Sequence, residues 1–452
     1  MVRPLAAGRR VTGKALTRRA SYGPNSPVIG RRGARTRQRL LDIALRLFAD
    51  NGVHSTLVDD IAREAGVSRA AFYQYFDSRD QVVVELVEEC GAELMRVVRR
   101  LGPLSATAAG YDNVHWWLGE WAYVYDKYST IFVEWAHIDG PQTPLRPMIV
   151  RFVENYTARL ADRLADARFG GLEPAPIALA LQTMIERFNY YRLSQHTGVS
   201  DSEMLDTLAI CVQRLLFPST PASAYAATID DAPAPVVARL PLADRRSAGP
   251  DTADAFDRER FATMSGAGRA SIEQLVAGGA AVFAASGYRR SSVDQILAAA
   301  SLSRRTFYKY FDNRLDLLLM VSDRCAAHVV ELGTAFAAVA RASDREVAVR
   351  DWVASVVRFA NSEGGILRIW LEEPVSPQLK ATADLAIGML IATFTEGLSG
   401  GKPVPGFSPT AAAWVLLSVV ERVPRQAVAT RDDLTSEQLV DLMTGVIVRG
   451  LF

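Results

Sequence analysis

Arg69, Tyr73 and Gln74 share one face of a short segment that Ser68 can cap, with Tyr75 and Arg79 close behind. A second segment, behind Ser303, offers the same chemistry in different letters: Arg304, Arg305, Thr306, Tyr308, Lys309, Tyr310 and Arg314. A guanidinium fork near the start of a helix can reach guanine O6 and N7 in a DNA major groove, while Tyr, Thr and Lys bond phosphates. Taken singly, such residues are equally at home on a packed helix with a solvated face. Two copies of the whole pattern favour a polyanion as partner.

These side chains need a helix-turn-helix to hold them. Residues 58–69 read as a helix, a turn around Gly66 and a new cap at Ser68, with Val58, Ile61, Ala62, Ala65, Val67 and Phe72 as the apolar seam between two helices. Thr56–Asp59 and Ser291–Asp294 have capping-box spacing for the helix before the turn, Ser68 and Ser303 can cap the short helix after it, and Asp77 and Asp312 are placed to cap a fourth helix. The pattern recurs at a spacing of 235 residues, from Phe48 and Phe283 through Trp117 and Trp352, Trp135 and Trp370, Glu186-Arg187 and Glu421-Arg422, to Phe217 and Phe452. The expected organisation is a basic arm over 1–34, a first head over 35–100, a helical body over 101–217, a Pro/Ala-rich linker over 218–269, a second head over 270–335 and a second body over 336–452. Within the first copy, helical periodicity predicts helices near 37–50, 114–137, 145–167, 175–195 and 203–216.

The runs Phe72-Tyr73-Gln74-Tyr75-Phe76-Asp77-Ser78-Arg79 and Thr306-Phe307-Tyr308-Lys309-Tyr310-Phe311-Asp312-Asn313-Arg314 closely resemble the tetracycline-repressor (TetR) family of transcriptional regulators. The resemblance implies an all-α fold: a DNA-binding head, then a helical body that binds a small ligand and dimerises. It places Tyr73 and Tyr308 at phosphate-contact positions, and Arg79 and Arg314 where a lysine is usual. Ala71 departs from the frequent threonine that Thr306 keeps. Ser301 replaces the turn glycine that Gly66 keeps, at a cost of about 1 kcal/mol if φ is positive, so the second turn is expected to differ slightly.

In the first body Trp117, Trp121, Tyr125, Tyr128, Phe132 and Trp135 form one helical stripe. Its middle members, Trp121, Tyr125, Tyr128 and Phe132, either line a pocket for a small hydrophobic or aromatic effector or simply fill the core. The second copy reads Val356, Ala360, Glu363 and Leu367 at those positions, and Gly364-Gly365 is expected to break its helix. Apolar rows follow in both copies: Ile177, Leu181, Met184, Ile185 and Phe188 with Leu205, Leu208, Val212 and Leu215, against Leu416, Val419, Val420 and Val423 with Leu439, Leu442 and Val446. In the family resembled, such helices pair across a two-fold axis. Duplication offers a covalent alternative, an intramolecular pseudo-dimer with two unlike heads, with a homodimer of tandem chains as a further possibility.

Composition sets the outer limits. The chain has 452 residues, 49% hydrophobic and 22% charged, with net charge +1, as in an ordinary globular protein. Eleven basic residues and no acid in 1–39 leave −10 on the remainder, so the arm is read as a DNA contact, a solvated tail or a transit segment. Cys90, Cys211 and Cys325 lack CxxC spacing, and His54, His115, His137, His196 and His328 lack ligand spacing, so neither a metal nor a cofactor is expected. No nucleophile elbow, zinc-protease motif or phosphate loop suggests an enzyme. The best apolar run, near 411–420, is too short for a membrane span. These features suggest a cytoplasmic regulator acting on double-stranded operator DNA, with an interaction module whose heads no longer bind DNA as the rival.

Overall fold

The computed structural model describes residues 31–132, 145–167, 169, 172–226, 266–372, 375–400, 404–430 and 434–452. Most of the expected arm and linker, with Trp135 and His137, lie outside the described residues. All regular structure among those described is helical. The chain divides into two compact units, one ending at Leu86 and one beginning at Val87.

The first unit holds α1 (Arg31–Asn51), α2 (Val58–Glu64), α3 (Arg69–Tyr75) and the start of α4 (Arg79–Arg100). Leu40, Leu41, Ala44 and Phe48 on α1 bury one stripe against Ile61, Ala62 and Phe72. The first helix therefore begins earlier than its apolar stripe suggests, and takes in Arg31, Arg32 and Arg35. Arg37, counted with the basic arm, is buried in an ion pair with Glu85 and lies over the Phe76 ring.

The expected caps shift by one residue. Thr56 is buried, and its hydroxyl donates to the Leu47 and Gly52 carbonyls instead of capping α2. Asp60 accepts from the Leu57 N–H at 3.3 Å in its place. Ser78, not Asp77, accepts from Gln81 N–H at the start of α4.

The second unit contains the rest of α4, then α5 (Ala108–Lys127), α6 (Arg146–Ala167), α7 (Pro174–Ser194) and α8 (Asp201–Leu216). A 3-10 turn, Ala222–Ala226, falls inside the expected linker and packs Tyr225 edge-on against Tyr111, ring centres 5.1 Å apart. The second copy follows as α9 (Gly266–Arg290), α10 (Val293–Ala300), α11 (Arg304–Tyr310), α12 (Arg314–Ala340), α13 (Arg345–Glu372), α14 (Pro377–Leu398), α15 (Pro409–Thr430) and α16 (Ser436–Leu451). Its caps carry the same one-residue shift. Ser292 caps α10 while Ser291 turns inward to the Tyr288 carbonyl, and Asn313 caps α12.

Gly364 and Gly365 do not break α13, which runs 28 residues through them. A Cβ on Gly365 would fall 2.3 Å from the Ala284 Cα, so the glycine serves the close approach of α9. The most apolar long helix is α14, not 411–420. An 18-residue stretch of its 22 residues reaches a mean hydropathy of 1.2 and meets the length and composition of a membrane span, yet the helix packs against α12 and α15.

The two copies meet face to face. α7 and α8 pack on α15 and α16 as a four-helix bundle inside one chain. Arg187 on α7 holds Glu421 on α15 with two hydrogen bonds, 2.5 and 3.1 Å, both side chains buried. Glu186 and Arg422, the counterparts of Glu421 and Arg187, approach at 3.8 Å. Residue i of one copy meeting residue j of the other, and the reverse, is the mark of an isologous interface. The fold is thus an all-α tandem paired as an intramolecular pseudo-dimer.

Candidate nucleic-acid interface

Ser68 and Ser303 fix the outward face of the third helix in each head. Each hydroxyl accepts from the N–H three residues on, Ala71 at 3.1 Å and Thr306 at 3.2 Å. With Phe72 and Phe307 buried, the helical period turns Arg69, Tyr73 and Gln74 outward on α3, and Arg304, Arg305, Tyr308 and Lys309 outward on α11. Tyr73 is 42% exposed and Tyr308 53%. Thr306 is half-buried, its hydroxyl 2.9 Å from Ser303 Oγ.

The leading arginine of each face is tethered in the same way. Arg69 reaches Asp59 at 2.6 Å and the Tyr73 hydroxyl at 3.3 Å, and Arg304 reaches Asp294 at 2.8 Å. Sequence reading missed this pairing, although Val58-Asp59 and Val293-Asp294 are repeated. Both ion pairs are solvent-exposed, so exchanging the carboxylate for an incoming anion costs little. The acid holds the guanidinium near the helix start without occupying it irrevocably.

Other expected contact residues sit deeper. Tyr310 is only 5% exposed and belongs to the interior of the second head, with the Lys309 ammonium 5.0 Å above its ring. That corrects its assignment to the outward set. Tyr75 is half-buried. Arg79 donates to the His54 carbonyl at 3.0 Å, and Arg314 donates to Ser291 Oγ at 3.2 Å with its guanidinium 4.3 Å from the Tyr288 ring centre. Both arginines brace the start of their helix against the turn before the helix-turn-helix.

The expected aromatic pocket is closed. Trp121, Tyr125, Tyr128 and Phe132 are all buried, and Tyr125 stacks on Phe132 at 4.3 Å between ring centres. Trp121 Nε1 donates to the Tyr156 hydroxyl at 2.9 Å, and the Tyr128 hydroxyl donates to Glu93 at 3.0 Å. Burial pushes the Tyr125, Tyr128 and Tyr156 phenols up, so they stay protonated and neutral. These rings fill the core of the first body. At the equivalent positions of the second body the smaller Val356 and Leu367 leave a cavity of about 40 Å³, also lined by Trp352, Trp370, Phe394 and the first copy's Tyr191. Among the described residues no cluster of His, Cys, Asp and Glu has the geometry of a metal site.

Comparison with known proteins agrees with this geometry. The family described as bacterial regulatory proteins, tetR family, matches residues 40–86 and again 275–321. The HTH-type transcriptional regulator AcrR of Shigella flexneri is 47% identical over 53 residues, 12% of this chain and 25% of that protein. The HTH-type transcriptional repressor KstR2 of Rhodococcus jostii is 42% identical over 90 residues, 20% of this chain and 41% of its own. The HTH-type transcriptional regulator BetI of Agrobacterium fabrum is 36% identical over 88 residues, 18% and 42% respectively. The chain thus spans between a quarter and somewhat over two fifths of the length of these curated relatives. Two segments of the chain, each folded as a helix-turn-helix head and each followed by a helical body, are thus similar to the tetR family of bacterial regulatory proteins.

Proposed function

We propose that the chain is a ligand-responsive DNA-binding transcriptional repressor of the cytoplasm, and that its two heads read unlike half-sites of one operator. The observation that carries this reading is the crossed pairing of Arg187 with Glu421 and Glu186 with Arg422, which lets a single chain supply both partners of a dimer. The outward residues differ, Arg69, Ala70, Tyr73 and Gln74 against Arg304, Arg305, Tyr308 and Lys309, so the heads present different donors to base edges. A symmetric homodimer demands palindromic half-sites about one helical turn or a multiple apart, and unlike heads release that demand. The basic residues before α1 add salt-dependent phosphate contacts. A small hydrophobic effector acts by binding the state that misfits DNA more tightly than the state that fits it.

The test is selection of bound duplexes from a random DNA pool with the full chain, alongside its mass in solution. Two unlike half-sites bound by a monomer are expected. A palindrome bound by a dimer of chains would replace the fused pair with two equivalent heads from two molecules. In Arg304→Ala/Lys309→Ala, binding should weaken, and the slope of log affinity against log salt should fall by about one for each phosphate that is no longer neutralised. Unchanged binding would favour the interaction-module reading of the second head.

A further inference from the structure

The same two helices are sealed in one body and open in the other. In the second body α12 and α14 interlock: Phe336 meets Phe394 at 4.9 Å between ring centres, and a Cβ on Gly333 would touch Leu390 at 3.0 Å. In the first body α4 and α6 flank a groove of about 660 Å³. At the sites of Leu390 and Phe394 it has Asn155 and Arg159, polar side chains where the second copy has its plugs. Gly91, Ala92, Met95, Met148 and Phe152 make its floor.

The charges are not spread evenly along it. Gly91 lies beside Phe152, and Arg163 donates to the Leu101 carbonyl, so α4 and α6 run parallel. Arg99 and Arg159 therefore share one end of the groove, and Glu88 and Arg151 the other, about 16 Å away along α4. Arg99 has no hydrogen-bond or ion-pair partner among the described residues. Arg159 has only exposed Asp162 at 3.9 Å, an interaction too weak to satisfy it.

We propose that this groove binds an anionic amphiphile, its carboxylate held by Arg99 and Arg159 and its chain laid over Met95, Met148 and Phe152. A carboxylate matches the guanidinium fork, and an apolar floor ending in two under-used arginines matches a chain with one charged end. The site is separate from the small cavity of the second body and does not depend on it. It belongs to the first copy alone, because the second has closed the equivalent space with its own side chains.

The experiment uses the full chain and dodecanoate below its micelle concentration, followed by calorimetry. Saturable binding is expected, with dodecanol and dodecyltrimethylammonium at least tenfold weaker, a factor typical of losing charge-assisted hydrogen bonds. Arg99→Gln/Arg159→Gln should weaken dodecanoate about tenfold or more, while Arg151→Gln at the far end leaves it within about twofold. Asn155→Leu/Arg159→Phe, copying the second body, should abolish it, with circular dichroism confirming the fold. Equal binding of the alcohol, or dodecanoate binding that survives the sealed variant, overturns the proposal. So does absence of binding to the unmodified chain. DNA selection with the same preparation keeps that failure distinct from failure of the regulator reading.

Discussion

Ser301 has φ 54° and ψ 39°, and it is the one non-glycine among the described residues with positive φ. Gly66, its counterpart, has φ +66°, so the two heads make the same turn and the second does not deviate to spare its serine. The strain is carried instead, since an L-residue in the left-handed region costs about 1–2 kcal/mol. Ser301→Gly should therefore stabilise the second head by about 1 kcal/mol, less the entropy the glycine gains when unfolded. Gly66→Ser should destabilise the first head similarly, because the nearest atom to a Cβ there is 3.8 Å away and sterics add nothing. Denaturant midpoints of the two variants check the pair, and equal midpoints for both would refute it. At this scale the sequence told residue types better than partners. Ser68 and Ser303 cap as their spacing requires, but Thr56 and Ser291 satisfy their hydroxyls on carbonyls that precede them in the chain, which a forward i to i+3 capping pattern does not reveal. Asp59 and Asp294 read as helix-start acids and prove to be tethers for Arg69 and Arg304.

Gly365 shows what an element needs from a residue that carries no side chain. α9 of the second head and α13 of the second body come together there, with 2.6 Å left between a Gly365 Cβ and the Ala284 Cβ. The first copy has Thr130 at the equivalent position, so the close approach is a property of the second copy. Gly365→Thr should force α9 away from α13 and destabilise the chain by about 1–3 kcal/mol, the usual cost of overpacking. Hydrogen exchange across 266–290 should rise relative to Gly364→Ala, whose Cβ would meet Arg425 only at an ordinary 3.4 Å. Equal protection in both variants would mean that the close approach holds nothing in place. The glycine pair was visible in the sequence, and its consequence was not. Two glycines suggest a break when the helix is considered alone, and become a docking notch once a neighbour is present. The aromatic stripe of α5 taught the converse. Its period placed the rings on one face, but whether that face is a pocket or a core depends on Tyr156 and Glu93, which lie on other helices.

The tandem as a whole is held by an ion pair that should make its pairing acid-sensitive. Both the duplication and the apolar rows of α7, α8, α15 and α16 were legible in the sequence, because a 235-residue register and a helical period are properties of the chain itself. Whether the rows meet within one chain or between chains was not, since that depends on three-dimensional packing. The crossed pairs Arg187 to Glu421 and Arg422 to Glu186 supply what was missing. Burial alone would raise the Glu421 carboxyl, but the Arg187, Arg425 and Arg422 guanidiniums outweigh it and hold it at about 2, against an ordinary 4.5. A carboxyl depressed by folding contributes stability that is complete above its unfolded value, and that stability is lost as pH falls through 4.5 toward 2. A difference of that size corresponds to about 3 kcal/mol at neutral pH. The melting temperature of the full chain should therefore fall steeply over this window. Glu421→Gln removes the titration but leaves Arg187 buried without its countercharge, so it should cost about 3–5 kcal/mol near pH 7. Its melting temperature should then change less than that of the unmodified chain across the same acid window. If the two acid slopes are identical, the loss of stability in acid arises elsewhere, and the buried pair does not control the union of the two copies.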